Sequence, residues 1–321
     1  MKPNIVVSKC LEFEACRYNG QRIPDGFIRR IAPYVNFIKV CPELEIGLGA
    51  PREPVRLVKK SDRISLVQLT TERDVTADMN AFTEQFLGNL ENIDGFILKY
   101  RSPSCGMREV KLYPGTHKVQ PSGKGSGLFG GEVIKRYQYL AVEDEARLNN
   151  PRISEHFLTK LFLRVRFRHV KNSGKMKDLV AFHSAGKFLL MAYNKKELTM
   201  LGRIVANPDK RSFAEVISDY EEHLSNAFVK APRYTSMINT FQHALGYFKK
   251  YLSSEEKTHF LRMLDNYRSG IMPASALISL LRSWIIRFKT EYLAMQTFFV
   301  PFPEILMNTI TDRPLEKDYW K

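Results

Sequence analysis

The hydrophobic period of this chain changes at about residue 150, and that change limits the folds open to it. Up to that point short apolar runs alternate with helical patterns. Residues 4–8, 37–40, 64–69 and 95–99 read as buried strands. Residues 24–34 and 76–92 read as helices, the second with Thr76 as its N-cap. Alternation of this kind predicts a Rossmann-like parallel sheet. Residues 142–151 turn polar and end in Asn149-Asn150-Pro151. Beyond them the 3.6-residue period holds over 154–170, 176–193, 195–206, 212–229, 234–251, 255–269 and 274–297. The expected fold class is therefore α/β followed by all-α, with domains at 1–145 and 150–321. No stretch is apolar for long enough to cross a membrane. The chain enters its first strand directly from Met1-Lys2-Pro3, which predicts a cytoplasmic protein.

All four cysteines lie in the first third: Cys10, Cys16, Cys41 and Cys105. Each sits at or just past the end of a strand-like run, and Gly20, Pro42, Gly106 and Ser102-Pro103-Ser104 mark turns around them. Open α/β sheets bind ligands at that end of their strands. Disulfides need an oxidising compartment, and structural zinc usually brings Cys-x-x-Cys pairs, which this chain lacks. An iron–sulfur cluster accepts irregular spacing, because its thiolates converge from separate loops. Four unrelated core cysteines are the plain alternative.

The flanking residues form a longer pattern. Cys-x5-Cys-Arg-Tyr-Asn-Gly from Cys10 is followed by Val40-Cys41-Pro42-Glu43, Gly47 and Ala50-Pro51-Arg52. Asp74-Val75-Thr76 and then Lys99-Tyr100-Arg101-Ser102-Pro103-Ser104-Cys105-Gly106 complete it. In this order, over about residues 1–140, these motifs resemble the thiouracil desulfidase family. Arg73 departs from that family's pattern, which often has a small residue there. The resemblance implies a 4Fe–4S cluster held by three cysteines, with one iron open to the substrate's sulfur. Such an iron would polarise the C–S bond and accept sulfide without net electron transfer. Cys10, Cys16 and Cys105 are the expected ligands, with Cys41 in reserve. Glu43 is the expected general acid/base, its pKa raised by burial; a helix-start carboxylate is the plainer reading. Ser102, ahead of Ser104, is expected to orient the heterocycle; shaping the turn is the plainer reading of both. The glycine-rich 122–131 segment reads as a turn before a helix near Glu132, or as an amide nest for an anion.

Residues 1–150 carry 22 basic and 18 acidic residues, against 27 and 16 in residues 151–321, so the excess charge lies in the helical half. That bias favours a polyanionic partner. Lys160, Arg164, Arg168 and Lys171 share a helical face and are candidate RNA contacts. Lys249 and Lys250, beside Tyr247, Phe248 and Tyr251, form a second candidate patch. His183 and His243 sit in apolar helical runs and read as core histidines. Together with Lys187, Leu201-Gly202-Arg203, Gly246-Tyr247, Tyr267-Arg268 and Tyr292…Gln296, they resemble the helical domain often fused behind these desulfidases. Chains with both halves resemble bacterial enzymes that remove sulfur from 4-thiouridine in tRNA. A desulfidase for free thiouracil-type bases, and a non-enzymatic iron–sulfur RNA-binding or sensor protein, are the alternatives.

Overall fold

The computed structural model describes residues 2–116 and 119–307; the last part of the expected second domain, 308–321, lies outside the described residues. Among the described residues the strands are β1 (Asn4–Ser8), β2 (Asn36–Val40), β3 (Val55–Lys60), β4 (Arg63–Gln68), β5 (Gly95–Leu98), β6 (Val110–Tyr113), β7 (Gly123–Gly125) and β8 (Ala141–Asp144). One sheet has the order β2-β1-β5-β8 and is wholly parallel. Its apolar runs are continuous because both faces are covered: Ile5, Val6 and Val7 have no exposed surface. The chain leaves β1 toward β2 on one side and reaches β5 on the other. The crevice between them opens at the carboxyl ends of all three strands.

The strand expected over 64–69 is β4, and it belongs to a second, mixed sheet of order β4-β3-β6-β7 whose other strands were not foreseen. Its strand β3 alternates apolar residues with Arg56, Lys59 and Lys60, and β7 is Gly-Lys-Gly, so neither reads as a buried run. It closes a small core of Leu57, Leu66, Val75, Met79, Val110 and Leu112.

The short helices around the sheets are α1 (Gly26–Ile31), α2 (Pro42–Glu45), α3 (Thr76–Gly88), α4 (Leu128–Tyr137) and α5 (Glu145–Leu148). Thr76 is the first residue of α3 and not its cap. Its Oγ1 accepts from the amide of Leu66 at 2.8 Å, while Asp74 accepts from the amide of Thr76 at 2.9 Å.

The helical part comprises α6 (Pro151–Ser173), α7 (Met176–Tyr193), α8 (Lys195–Ala206), α9 (Phe213–Ala227), α10 (Tyr234–Gly246), α11 (Ser254–Arg268), α12 (Ala274–Phe288) and α13 (Glu291–Ala294). Capping boxes Ser212/Glu215 and Ser253/Glu256 start α9 and α11. The helix expected over 274–297 is broken where Lys289 adopts a left-handed conformation, φ 48°.

Two compact units emerge, one running to Val165 with the segment from Ile305, the other Arg166–Glu304. The dividing line falls inside α6. Its first turns belong with the parallel sheet because of what they touch. Phe157 meets Phe27 edge-on at 6.1 Å, and Leu161 packs over Gly95 of β5, where a Cβ would lie 3.1 Å from its side chain.

Candidate active site

All four cysteines line one cavity of about 510 Å³ at the carboxyl ends of β1, β2 and β5. Cys10 and Cys16 come from the loop after β1, Cys41 immediately follows β2, and Cys105 lies in the loop after β5. All are free thiols and all are buried. The sequence reading held Cys41 in reserve, but its place in the cavity is equal to that of the others. Its Sγ donates to the carbonyl of Cys16 at 3.8 Å.

Cys16, Cys41 and Cys105 are held toward their protonated state. Hydrogen bonding with Cys10 raises Cys16 to about 11, and hydrogen bonding with Cys16 together with burial pushes Cys41 up as well. Burial, then the nearby Glu43 carboxylate, raises Cys105 to about 12. Nucleophilic cysteines need the opposite, an electropositive setting that favours thiolate. Of the four cations that line the cavity, Arg52 pairs with Glu43 and Lys99 with Glu145, while Arg17 and Arg101 lie over the rings of Tyr18 and Tyr100. A soft cationic centre would supply the missing positive charge, since coordination deprotonates a thiol outright. Four sulfurs with no imidazole among them are a donor set that fits an iron–sulfur group, as it would a structural zinc.

Glu43 lies in α2, with Cys41 at the N-cap position and Pro42 first in the helix. It has partners that the sequence did not suggest. Arg52, its side chain only 3 % exposed, forms an ion pair with Glu43. The same guanidinium donates to the carbonyls of Cys16 and Gly49, each at 2.8 Å. Arg52 thus ties the β1 loop to the acid. Its signal was present in Ala50-Pro51-Arg52, but no spacing rule connects it to Glu43.

The two serines divide their work differently from the expectation. Ser104, fully buried, donates to Glu43 Oε1 at 2.7 Å. Ser102 Oγ accepts from the amides of Ser104 (3.3 Å) and Cys105 (3.1 Å), and it lies 3.0 Å from Ser104 Oγ. Ser102 therefore shapes the turn that presents Cys105 and joins a Ser102–Ser104–Glu43 chain. Ser8, buried at the end of β1, accepts from the amide of Lys99 at 2.9 Å and pins the start of the same loop.

The glycine-rich segment is not an anion nest. The amides of Gly127, Leu128 and Gly130 at the start of α4 donate to the carbonyls of Gly106 (2.7 Å), Pro103 (3.3 Å) and Ser104 (2.9 Å). These donors are spent on the Cys105 loop. A Cβ on Gly127 would come within 2.4 Å of the Ser104 carbonyl oxygen, and one on Gly130 within 2.3 Å of that of Cys105. The glycines are there so that helix and loop can touch backbone to backbone.

The expected basic face on α6 does not exist as a solvent face. Lys160 and Arg164 are 8 % and 9 % exposed. Lys160 Nζ donates to the carbonyl of Gln138 at 3.1 Å, and burial lowers its pKa to about 8. The Arg164 guanidinium lies over the ring of Tyr139 at 5.3 Å. Arg168 is half-buried, and Lys171 pairs with Glu221 at 2.7 Å. A 3.6-residue stripe of cations cannot show which face its helix buries. Lys249 and Lys250 are exposed just after α10, with Tyr247 and Tyr251 exposed and Phe248 buried. His183 is a buried histidine as expected, but His243 is exposed.

Comparison with known proteins agrees with this division. A family model described as 2-thiouracil desulfurase matches residues 5–145, and one described as a protein of unknown function, DUF1722, matches residues 187–303. The YbbK protein of Bacillus subtilis (strain 168) is 32% identical over 152 residues, covering 44% of this chain and 95% of YbbK. The YbgA protein of Escherichia coli (strain K12) is 21% identical over 161 residues, 50% of this chain and 95% of YbgA. The solved structure of a [4Fe-4S]-dependent thiouracil desulfidase, TudS, is 29% identical with a TM-score of 0.37, covering 46% of this chain and 93% of that one. By its N-terminal half this chain belongs to the 2-thiouracil desulfurase family, and it carries a DUF1722 domain behind that half.

Proposed function

We propose that the protein is a desulfidase that replaces the sulfur of 4-thiouridine in tRNA by oxygen, using a 4Fe–4S cluster held by three of its four thiols. The observation that carries this reading is the convergence of Cys10, Cys16, Cys41 and Cys105 with an ion-paired acid, Glu43, on one cavity. The reaction exchanges C=S for C=O: water supplies the oxygen, sulfur leaves as sulfide, and no electrons are gained or lost. When bound, the cluster supplies a soft Lewis acid for the sulfur at an iron that no thiolate occupies. Three ligands from a set of four leave that iron open.

The chain's own residues do the rest. Glu43 takes the proton of the attacking water or returns it to the base. Arg52 fixes the carboxylate in place through contacts on both sides of the cavity mouth. Ser104 holds the other carboxylate oxygen, and Ser102 keeps the Cys105 turn in register. The polynucleotide substrate is supported by the excess positive charge of residues 151–321, which a small-molecule enzyme would not need.

Anaerobic reconstitution with iron and sulfide, followed by incubation with thiolated tRNA, tests the reading through loss of the thiocarbonyl absorbance. Sulfide release only from free thiouracil would replace the tRNA substrate with a free base. Release from neither would overturn the desulfidase reading.

A further inference from the structure

The helical unit contains a cavity of its own, of about 610 Å³, between α7, α8 and α10 with Tyr292 at its edge. Six of the residues of the helical half that the sequence analysis singled out meet here: His183 and Lys187 from α7, Gly202 from α8, His243 and Tyr247 from the end of α10, and Tyr292. Most of the remaining wall is apolar. None of these residues takes part in the chemistry of the thiol cavity.

The polar groups are arranged by depth. His183 is 6 % exposed and forms the inner polar point. Its Nδ1 lies 3.2 Å from the hydroxyl of Tyr220, a fully buried ring whose hydroxyl burial holds protonated. That hydroxyl can donate to Nδ1 of a neutral imidazole. The neutral imidazole then carries its proton on Nε2. Nε2 faces Gly202, where a Cβ would sit 3.7 Å away, and it has no partner among the described residues. The second ring nitrogen of a largely buried histidine thus borders a mostly apolar cavity, where it can meet a ligand's polar atom. At the rim stand the exposed cations Lys187 and, when protonated, His243. Beside them the rings of Tyr247 and Tyr292 stack at 5.5 Å and 20°, with Tyr247 46 % exposed.

A deep imidazole nitrogen, an apolar wall with an aromatic pair, and a cationic rim fit one chemical class: a planar heterocycle with carbonyl acceptors, attached to an anion. We infer that this cavity is a nucleotide site, with the base carbonyl on His183 Nε2, the base against Tyr247 and Tyr292, and the phosphate toward Lys187 and His243. The chemistry is the same for a free nucleotide and for a nucleotide splayed out of a single-stranded RNA. The site uses residues of the helical unit only and does not depend on the desulfidase reading.

The test is equilibrium binding to the full-length protein without iron, using uridine 5′-monophosphate, uridine, inorganic phosphate and a hexauridylate as probes. Tyr247→Ala removes the stacking surface. It should weaken the monophosphate about 5- to 160-fold, the range for loss of one base–aromatic stack. Gly202→Leu fills the cavity from a position with room for its Cβ, and it should abolish binding. Lys187→Ala should weaken the monophosphate while leaving uridine unchanged. Thermal melting confirms that each variant is folded. If the hexamer binds more tightly than the monophosphate and is lost with the same variants, the source is RNA. Equal affinities mean a free nucleotide. Failure of the wild-type protein to bind the monophosphate overturns the inference. So does competition by phosphate as strong as by the nucleotide, or binding that survives Gly202→Leu. Thiouracil desulfuration plays no part in these readouts, so the two proposals fail separately.

Discussion

Replacing Gly130 by alanine tests whether backbone contact between α4 and the Cys105 loop builds the thiol cavity. The new Cβ would lie 2.3 Å from the carbonyl oxygen of Cys105 and 2.6 Å from that of Gly106. Ordinary contact begins near 3.4 Å, so helix and loop must separate by about 1 Å. Both neighbours are backbone, and no side-chain rotation can absorb the clash. Alanine in a helix returns about 1 kcal/mol of propensity, while overpacking costs about 1–3 kcal/mol. Net stability should therefore fall only slightly, by about 2 kcal/mol at most. Geometry should suffer more, because the shift also stretches the Gly130 amide to Ser104 carbonyl bond, 2.9 Å in the native chain. Ser104 and Cys105 would move with the loop. A displacement of about 1 Å in a reacting group costs roughly 10² in rate. The assay is iron content and turnover per cluster after reconstitution, with melting of the apo protein as the stability check. Gly246→Ala, where nothing lies within 4 Å of the new Cβ, is the control. Wild-type iron content and turnover in Gly130→Ala would refute the claim that these glycines seat the cysteine loop.

Single Cys→Ser variants at 10, 16, 41 and 105 should leave one variant that still holds iron and three that do not, with Cys10, Cys16 and Cys105 the expected three; folded variants that all lose iron would contradict an open iron. Glu43→Gln should retain iron and lower turnover by about 10²–10⁴, and a cluster-loaded variant with normal turnover would take Glu43 out of the mechanism. Arg52→Lys should behave similarly, because a lysine cannot bridge Glu43 and two carbonyls at once. His183 supplies a pH test. Burial, then Lys187, pushes it down to about 4 from 6.5. Between those values the unfolded chain binds the extra proton, so the stability from the neutral ring is complete above about 6.5 and lost as pH falls toward 4. The loss is at most about 3 kcal/mol. Denaturant midpoints at pH 7 and 4.5 should therefore converge in His183→Gln, and an unchanged gap would count against the buried neutral ring.

The residues by themselves determined much of the architecture. Short, β-branched apolar runs such as Ile5-Val6-Val7 read as strands buried on both faces, and the long 3.6-residue pattern after residue 150 reads as helices. The ends of α7 and α8 were legible to the residue, because Asn194 and the left-handed Asn207 punctuate them locally. The turn residues around the cysteines likewise placed the thiols at strand ends. Tertiary structure decided whatever depends on residues far apart in the chain. Local spacing cannot say that Arg52 reaches back to Cys16 and Glu43, or that Gly127 and Gly130 exist to meet the carbonyls of a loop some 25 residues earlier. Of the second sheet only β4 was read, because β3 breaks its apolar run with Arg56, Lys59 and Lys60 and β7 is Gly-Lys-Gly. The basic stripe of α6 misled for the same reason. Periodicity shows that Lys160 and Arg164 share a face, but only packing against Gln138 and Tyr139 decides that this face is buried.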